Sequence, residues 1–308
     1  VSEPGLPDFL VIGAMKCGTT TLYFDLDSQP AICMSTIKEP SVLIRFPDAQ
    51  KAAAYYRRLF LVPPTRGRSG EASTPRRFGE ASTLYSQLPR HPGVPARARE
   101  LLGSDLRFIY LVRNPVERAI SHHLHEYAFG NCGPDVDAMI RSDPTAVDFG
   151  RYAMQLEAWL DTFGPTAGQV IRFEDYVRAR ASTVEQIGKF LSVPIDASRI
   201  HTDRAFNQSS EGRVPGRLRP LVRSDLYRLW LRRAIPERLR QRLREMITPA
   251  APERPRPPGL DTIDYLIERL APDAERLASM LGWKAPIWDF EATRRKYAEP
   301  AGTAQAGR

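Results

Sequence analysis

The sequence predicts an α/β fold: a central parallel sheet flanked by helices, with a helical C-terminal portion. Three observations predict it. Phe9-Leu10-Val11-Ile12 is an unbroken apolar run ending in Gly13, the pattern of a strand buried on both faces. Leu106-Arg107-Phe108-Ile109-Tyr110-Leu111-Val112 is a second such run. Strand-like and helical stretches then alternate, with connections too long for hairpins, which implies crossovers between parallel strands.

In order along the chain, Gly13 leads to a helix from about Gly18 to Asp27, before a turn at Gln29-Pro30. Ile32 to Met34 reads as a short strand, and Ala49 to Phe60 as a helix whose apolar stripe is Ala52, Tyr55, Tyr56 and Leu59. The strand at 106–112 ends at Arg113. Asn114 is then placed as an N-cap and Pro115 as the first helical residue of a helix reaching about Tyr127. Arg151 to Phe163 reads as a helix and Gln169 to Phe173 as a strand. Ser182-Thr183-Val184-Glu185 has the form of a capping box, opening a helix that carries Ile187, Phe190 and Leu191. Beyond Asn207 the pattern becomes helical and arginine-rich. Five prolines between Pro249 and Pro258 then lead to a last helix, Asp261 to Leu281. Past about Arg294 no apolar periodicity remains. The expected organisation is therefore a single domain over residues 5–290 and a frayed tail over 291–308.

A chain of 308 residues with 42% hydrophobic and 26% charged residues has the balance of a soluble globular enzyme with a substantial core. The apolar run from Phe9 to Met15 is too short to cross a bilayer, and it lacks the basic flank and cleavage site of a signal peptide. A cytoplasmic protein without a transmembrane segment is expected. Cys17, Cys33 and Cys132 are odd in number and lack zinc-site spacing, so they read as free thiols.

The net charge is +8, and ten arginines without a lysine fall between Arg217 and Arg244. No zinc-finger pattern, RNA-binding signature or glycine-arginine repeat accompanies them, so no nucleic-acid partner is expected. Leu226, Leu229, Trp230, Leu239 and Leu243 in that stretch suit a helical pair docked on the core and divided at Pro236; peripheral membrane contact is the second reading. His122 and Glu126 have i,i+4 ligand spacing but no third ligand, so the cluster His122, His123 and His125 reads as packing or solvent-facing histidines, with His123 at most bordering a pocket.

Two segments carry chemistry. Gly13-Ala14-Met15-Lys16-Cys17-Gly18-Thr19-Thr20-Thr21 joins a buried strand to a helix. Glycines let backbone wrap an anionic group, helix-opening N–H groups donate to its oxygens, and Lys16 with the threonine hydroxyls adds charge and bonds. A P-loop kinase is the competing reading. Its lysine follows the last glycine directly, whereas here Thr19 follows Gly18 and Lys16 precedes it by two. The best later strand also ends in Arg113 rather than in a magnesium-binding aspartate, so no metal is expected. In the second segment, Leu111 to Ser121, Arg113 stands at the end of a parallel strand, where open α/β sheets bind ligands. Ser121 follows Asn114 by seven residues, about two helical turns, so it faces the same side as the cap, and the Arg113 fork and the Ser121 hydroxyl can converge on one phosphate.

Lys16-Cys17-Gly18-Thr19-Thr20-Thr21-Leu22 resembles the 5′-phosphosulfate loop of the sulfotransferases that use 3′-phosphoadenosine 5′-phosphosulfate (PAPS), in the form of the carbohydrate or heparan-type branch. Leu111-Val112-Arg113-Asn114-Pro115-Val116-Glu117-Arg118-Ala119-Ile120-Ser121 resembles that family's 3′-phosphate segment. The resemblance runs from about Phe9 to Leu281. It implies that Lys16, Cys17, Gly18, Thr19, Thr20 and Thr21 hold the 5′-phosphosulfate and that Arg113 and Ser121 hold the 3′-phosphate. Ile37-Lys38-Glu39-Pro40 matches a Lys-Glu-Pro element that sets Lys38 near the transferred group. Gly79-Glu80-Ala81-Ser82-Thr83-Leu84-Tyr85, with Pro89 following, matches the segment of the catalytic carboxylate, making Glu80 the expected base; its echo at Gly70-Glu71-Ala72-Ser73-Thr74 lacks that continuation. Phe173-Glu174-Asp175 is read as helix capping, and Phe206 to Arg213 as a loop closing over the nucleotide through Ser210, Gly212 and Arg213.

The function so implied is transfer of the sulfuryl group of PAPS to an acceptor hydroxyl, releasing PAP (PAPS without its sulfuryl group). Lys16 and Lys38 would neutralise the leaving oxygen. The acceptor is a carbohydrate, a lipid or another small molecule, and the oligomeric state is open. A kinase, or a nucleotide- or polyanion-binding module without turnover, remains as the alternative.

Overall fold

The computed structural model describes residues 5–60, 76–200 and 255–298. Five strands form one all-parallel sheet: β1 (Phe9–Gly13), β2 (Ile32–Met34), β3 (Arg77–Ala81), β4 (Arg107–Val112) and β5 (Gly168–Arg172), in the order β2-β3-β1-β4-β5. β1 is fully buried, as the unbroken apolar run requires. It lies between β3 and β4, so the chain leaves the sheet on either side of β1, and the strand ends open a crevice there.

β3 was not legible as a strand, because Phe78-Gly79-Glu80 has neither alternation nor β-branched residues. Packing explains it. Gly79 pairs with Phe9, and a Cβ on Gly79 would sit 2.2 Å from Cζ of the Phe9 ring. Gly168 pairs with Phe108 in the same way, its added Cβ falling 2.4 Å from the ring. In both places glycine lets an aromatic ring of the neighbouring strand lie across the sheet.

Helices α1 (Thr19–Asp27), α2 (Val42–Arg45), α3 (Ala49–Phe60), α4 (Val94–Leu102), α5 (Pro115–Ala128), α6 (Val136–Ser142), α7 (Thr145–Asp148), α8 (Tyr152–Phe163), α9 (Phe173–Arg178), α10 (Arg180–Leu191), α11 (Leu260–Leu281) and α12 (Phe290–Ala298) flank the sheet, with a 3-10 turn at Thr83–Ser86. The main core joins the strands to α1, α3, α4, α8 and α10, and the C-terminal half of α11 packs on it. A second apolar cluster joins Val116 and Ala119 of α5 and Val147 of α7 to Ile263, Leu266 and Leu270 of α11. No helix among the described residues is long and apolar enough to cross a membrane.

Two expectations change. α10 begins at Arg180, two residues before the supposed capping box, and the Ser182 and Thr183 hydroxyls donate backwards to the Ala179 carbonyl. The tertiary contact of Arg180 sets the start. Its guanidinium donates to both carboxylate oxygens of Asp25 on α1, at 2.7 and 2.5 Å, and the Tyr176 hydroxyl donates to the same carboxylate. The chain beyond Arg294 also stays helical, through Ala298. α12 is held by Phe290 and Tyr297, which pack on the second apolar cluster, and by polar contacts that leave no apolar period: Arg294 on Asp264, Lys296 on Glu117 and Asn114 on Thr293. The arginine-rich stretch 217–244 and Glu71 lie outside the described residues.

Candidate active site

β1 ends at Gly13, and the loop that follows turns on two residues with left-handed backbone, Lys16 (φ 66°) and Gly18 (φ 82°). Gly18 is the N-cap of α1 and has no side chain to cap it, so the amide end of the helix faces the crevice. A Cβ on Gly18 would lie 2.9 Å from the Phe173 ring. That ring also lies under Arg113, whose guanidinium carbon is 5.1 Å from its centroid. Arg113 in turn donates to the Lys16 carbonyl at 3.4 Å. Phe173, at the start of α9, thus wedges the loop after β1 against the arginine after β4. This role is not legible in the sequence, where an aromatic residue directly after a parallel strand is the available signal.

Asn114 caps α5 as expected, its side-chain oxygen accepting from the Val116 and Glu117 amides at 3.1 and 3.3 Å. Glu174 does cap a helix, but α5 rather than its own: its carboxylate accepts from the Asn114 amide at 2.9 Å. Asp175 pairs with Arg172 and Arg178. Glu117 stands 3.8 Å from Arg113 and also accepts from Lys296 and Tyr297 of α12. Ser121 is half-buried on α5 one further turn along the same face.

Burial first, and then the Arg113 charge, lower the Lys16 pKa, with Lys38 adding to the effect. Lys16 therefore feels like charge from both Arg113 and Lys38, and an anion beside it would relieve that repulsion. Lys38 pairs with Glu39 at 2.5 Å. The Glu39 backbone is left-handed (φ 58°), its side chain is 34% exposed, and its carboxylate accepts from the Thr83 amide at 2.7 Å.

Three expected residues sit differently. Glu80 is 0% exposed. One carboxylate oxygen accepts from Ser82 Oγ at 2.6 Å and the Tyr85 hydroxyl at 2.7 Å, and the other from the Tyr56 hydroxyl at 2.5 Å. Burial raises its pKa to about 7 against those three bonds. Such a carboxylate ties β3 to α3 and the 3-10 turn. Cys17 turns its thiol into the core, 3.7 Å from the Tyr152 hydroxyl, and burial raises that thiol to about 11; its amide is spent on the Ala14 carbonyl. Thr19 is buried, whereas Thr20 and Thr21 are half-buried. Ser210, Gly212 and Arg213 lie outside the described residues. His122 and His123 are buried, and among the described residues no group of three or more metal-ligating side chains occurs.

The family model that matches residues 6–250 is the sulfotransferase domain. The chain belongs to that family. Sulfotransferase domains take their sulfuryl group from PAPS and release PAP.

Among similar proteins, the bifunctional heparan sulfate N-deacetylase/N-sulfotransferase 2 of Bos taurus is 30% identical over 208 residues, covering 61% of this chain and 22% of that protein. Carbohydrate sulfotransferase 15 of Homo sapiens is 25% identical over 246 residues, covering 61% of this chain and 44% of that protein. The chain thus spans less than half of either relative. A sulfotransferase from Alicyclobacillus acidocaldarius has the same fold, with a TM-score of 0.57 and 23% identity over 94% of this chain and 98% of that one.

Proposed function

We propose that this sulfotransferase domain moves the sulfuryl group of PAPS onto a hydroxyl or amine of a carbohydrate. The observation that supports the donor is the approach of Arg113 to the loop after β1: its guanidinium donates to the Lys16 carbonyl at 3.4 Å, and Lys16 feels the charges of both Arg113 and Lys38. The carbohydrate class rests on the names of the heparan- and carbohydrate-directed relatives.

In this reading Lys16 and the opening turn of α1, with Thr20 and Thr21, hold the phosphosulfate, and Arg113 and Ser121 take the 3′-phosphate. The acceptor atom attacks sulfur in line. The bond from sulfur to the bridging phosphate oxygen breaks, and Lys16 with Lys38 neutralises the charge left on that oxygen. The base is Glu39 rather than Glu80, because a base must reach the proton it removes. Glu39 is open beside Lys38, whereas Glu80 is enclosed by three hydroxyls.

Two measurements test the proposal. PAP should raise the melting temperature well above any effect of ATP. Incubation with isotopically labelled PAPS and a panel of saccharides should yield a sulfated sugar and PAP by mass spectrometry. A larger response to ATP, together with phosphate appearing on the acceptor, would return the chain to the kinase reading.

A further inference from the structure

Arg118 lies on α5 between Arg113 and Ser121, and it is 0% exposed. One guanidinium nitrogen donates to the Ala146 carbonyl. The other two, Nε and Nη1, have no hydrogen-bond partner, and no carboxylate lies within ion-pair distance among the described residues. Its titratable neighbours are the Tyr152, Cys17 and Tyr110 side chains, which burial keeps uncharged, and Arg113, which is of like charge. A guanidinium keeps its proton even when buried. This is therefore an uncompensated charge in the protein interior, where a hydrocarbon side chain would be cheaper.

Its position suggests what offsets the cost. Cys17 belongs to the loop after β1, and its thiol feels the Arg118 charge. Arg113, five residues earlier at the end of β4, interacts with the same charge. Arg118 and the Cys17 side chain of the loop are both fully buried, so the charge acts on the loop and on the strand-end arginine through protein rather than through water.

We propose that Arg118 is a positioning residue for the donor: a fixed, water-shielded positive charge beneath the phosphate loop whose counter-ion is the bound nucleotide. The proposal rests on the reading of the site as a PAPS site. Arg118 touches no ligand atom; it acts by making the loop and Arg113 a more positive receptacle.

The test is titration calorimetry with PAP, at low and high salt, on the wild type, Arg118→Met and Arg118→Lys, with melting temperatures recorded without ligand. Methionine keeps the bulk and removes the charge. Arg118→Met should melt no lower than the wild type yet bind PAP about ten-fold more weakly, the size of one charge pair over roughly 10 Å at an effective dielectric of about 20. Because the charge is buried, the loss should be the same at both salt concentrations. Arg118→Lys should recover most of the affinity. A methionine variant that melts lower but binds PAP as the wild type does would make Arg118 a packing residue and overturn the proposal. If the methionine variant does not fold, the lysine variant decides: affinity near wild type supports the charge, and a ten-fold loss in a folded protein refutes it. A wild type that fails to bind PAP would sink the donor reading itself, an outcome distinct from equal binding by wild type and Arg118→Met.

Discussion

Replacing Glu80 with glutamine should leave a folded, active enzyme whose stability depends less on pH. In the fold the Glu80 carboxyl titrates at about 7 instead of its ordinary 4.5. Between those values the folded protein binds the proton that the unfolded chain has released, so stability falls as pH rises through that window. At about 1.4 kcal/mol per pKa unit the full loss approaches about 3 kcal/mol by pH 8. Glutamine has the same shape and no such titration. Its oxygen can accept from Ser82 and Tyr85, and the Tyr56 hydroxyl can turn to accept from its amide. Glu80→Gln and wild type should therefore melt together near pH 5. By pH 8 the variant should melt higher, by about 6 °C if each kcal/mol is worth about 2 °C at this chain length. Glu80→Ala, by contrast, strips the acceptor from three buried hydroxyls at about 1–3 kcal/mol each, and its inactivity would report unfolding rather than chemistry. The assay is differential scanning fluorimetry across pH, paired with PAP release from PAPS. A Glu80→Gln protein that melts normally, binds PAP and fails to turn over would refute the reasoning and restore Glu80 as the base.

Glu39→Gln should retain PAP affinity while turnover falls about 10²–10⁴-fold, and unchanged turnover in steady-state kinetics would remove Glu39 from the mechanism. Arg113→Ala should weaken PAP roughly ten- to a hundred-fold more than a nucleotide without the 3′-phosphate, as calorimetry on the folded variant would register; equal losses would contradict the assignment. Asp25→Ala strands the buried guanidinium of Arg180 and should cost about 3–5 kcal/mol in a urea melt, against less than about 1 kcal/mol expected if the pair were worth no more than a surface bridge. EDTA should leave PAPS turnover unchanged; loss restored by magnesium would favour phosphoryl transfer.

The sequence by itself determined the sheet's centre, the loop after β1 and the cap-and-proline start of α5. Each of these rests on residues adjacent in the chain. A buried parallel strand needs an apolar run, a helix start needs its cap, and an anion loop needs glycine and donors in a row. β3 escaped notice because what makes it a strand is the Phe9 ring lying over Gly79, a contact seventy positions away in the sequence. The choice between carboxylates was likewise not local. Glu80 and Glu39 both follow motif-like neighbours, and only the approach of Tyr56 from α3 and Tyr85 from the 3-10 turn encloses one and leaves the other open. Phe173 and Arg118 lie inside motif-like segments, but nothing in those segments marks their roles. Their roles arise from what lies across the crevice, because burial and electrostatic potential are sums over all neighbours in space, and the tertiary structure alone decides who those neighbours are.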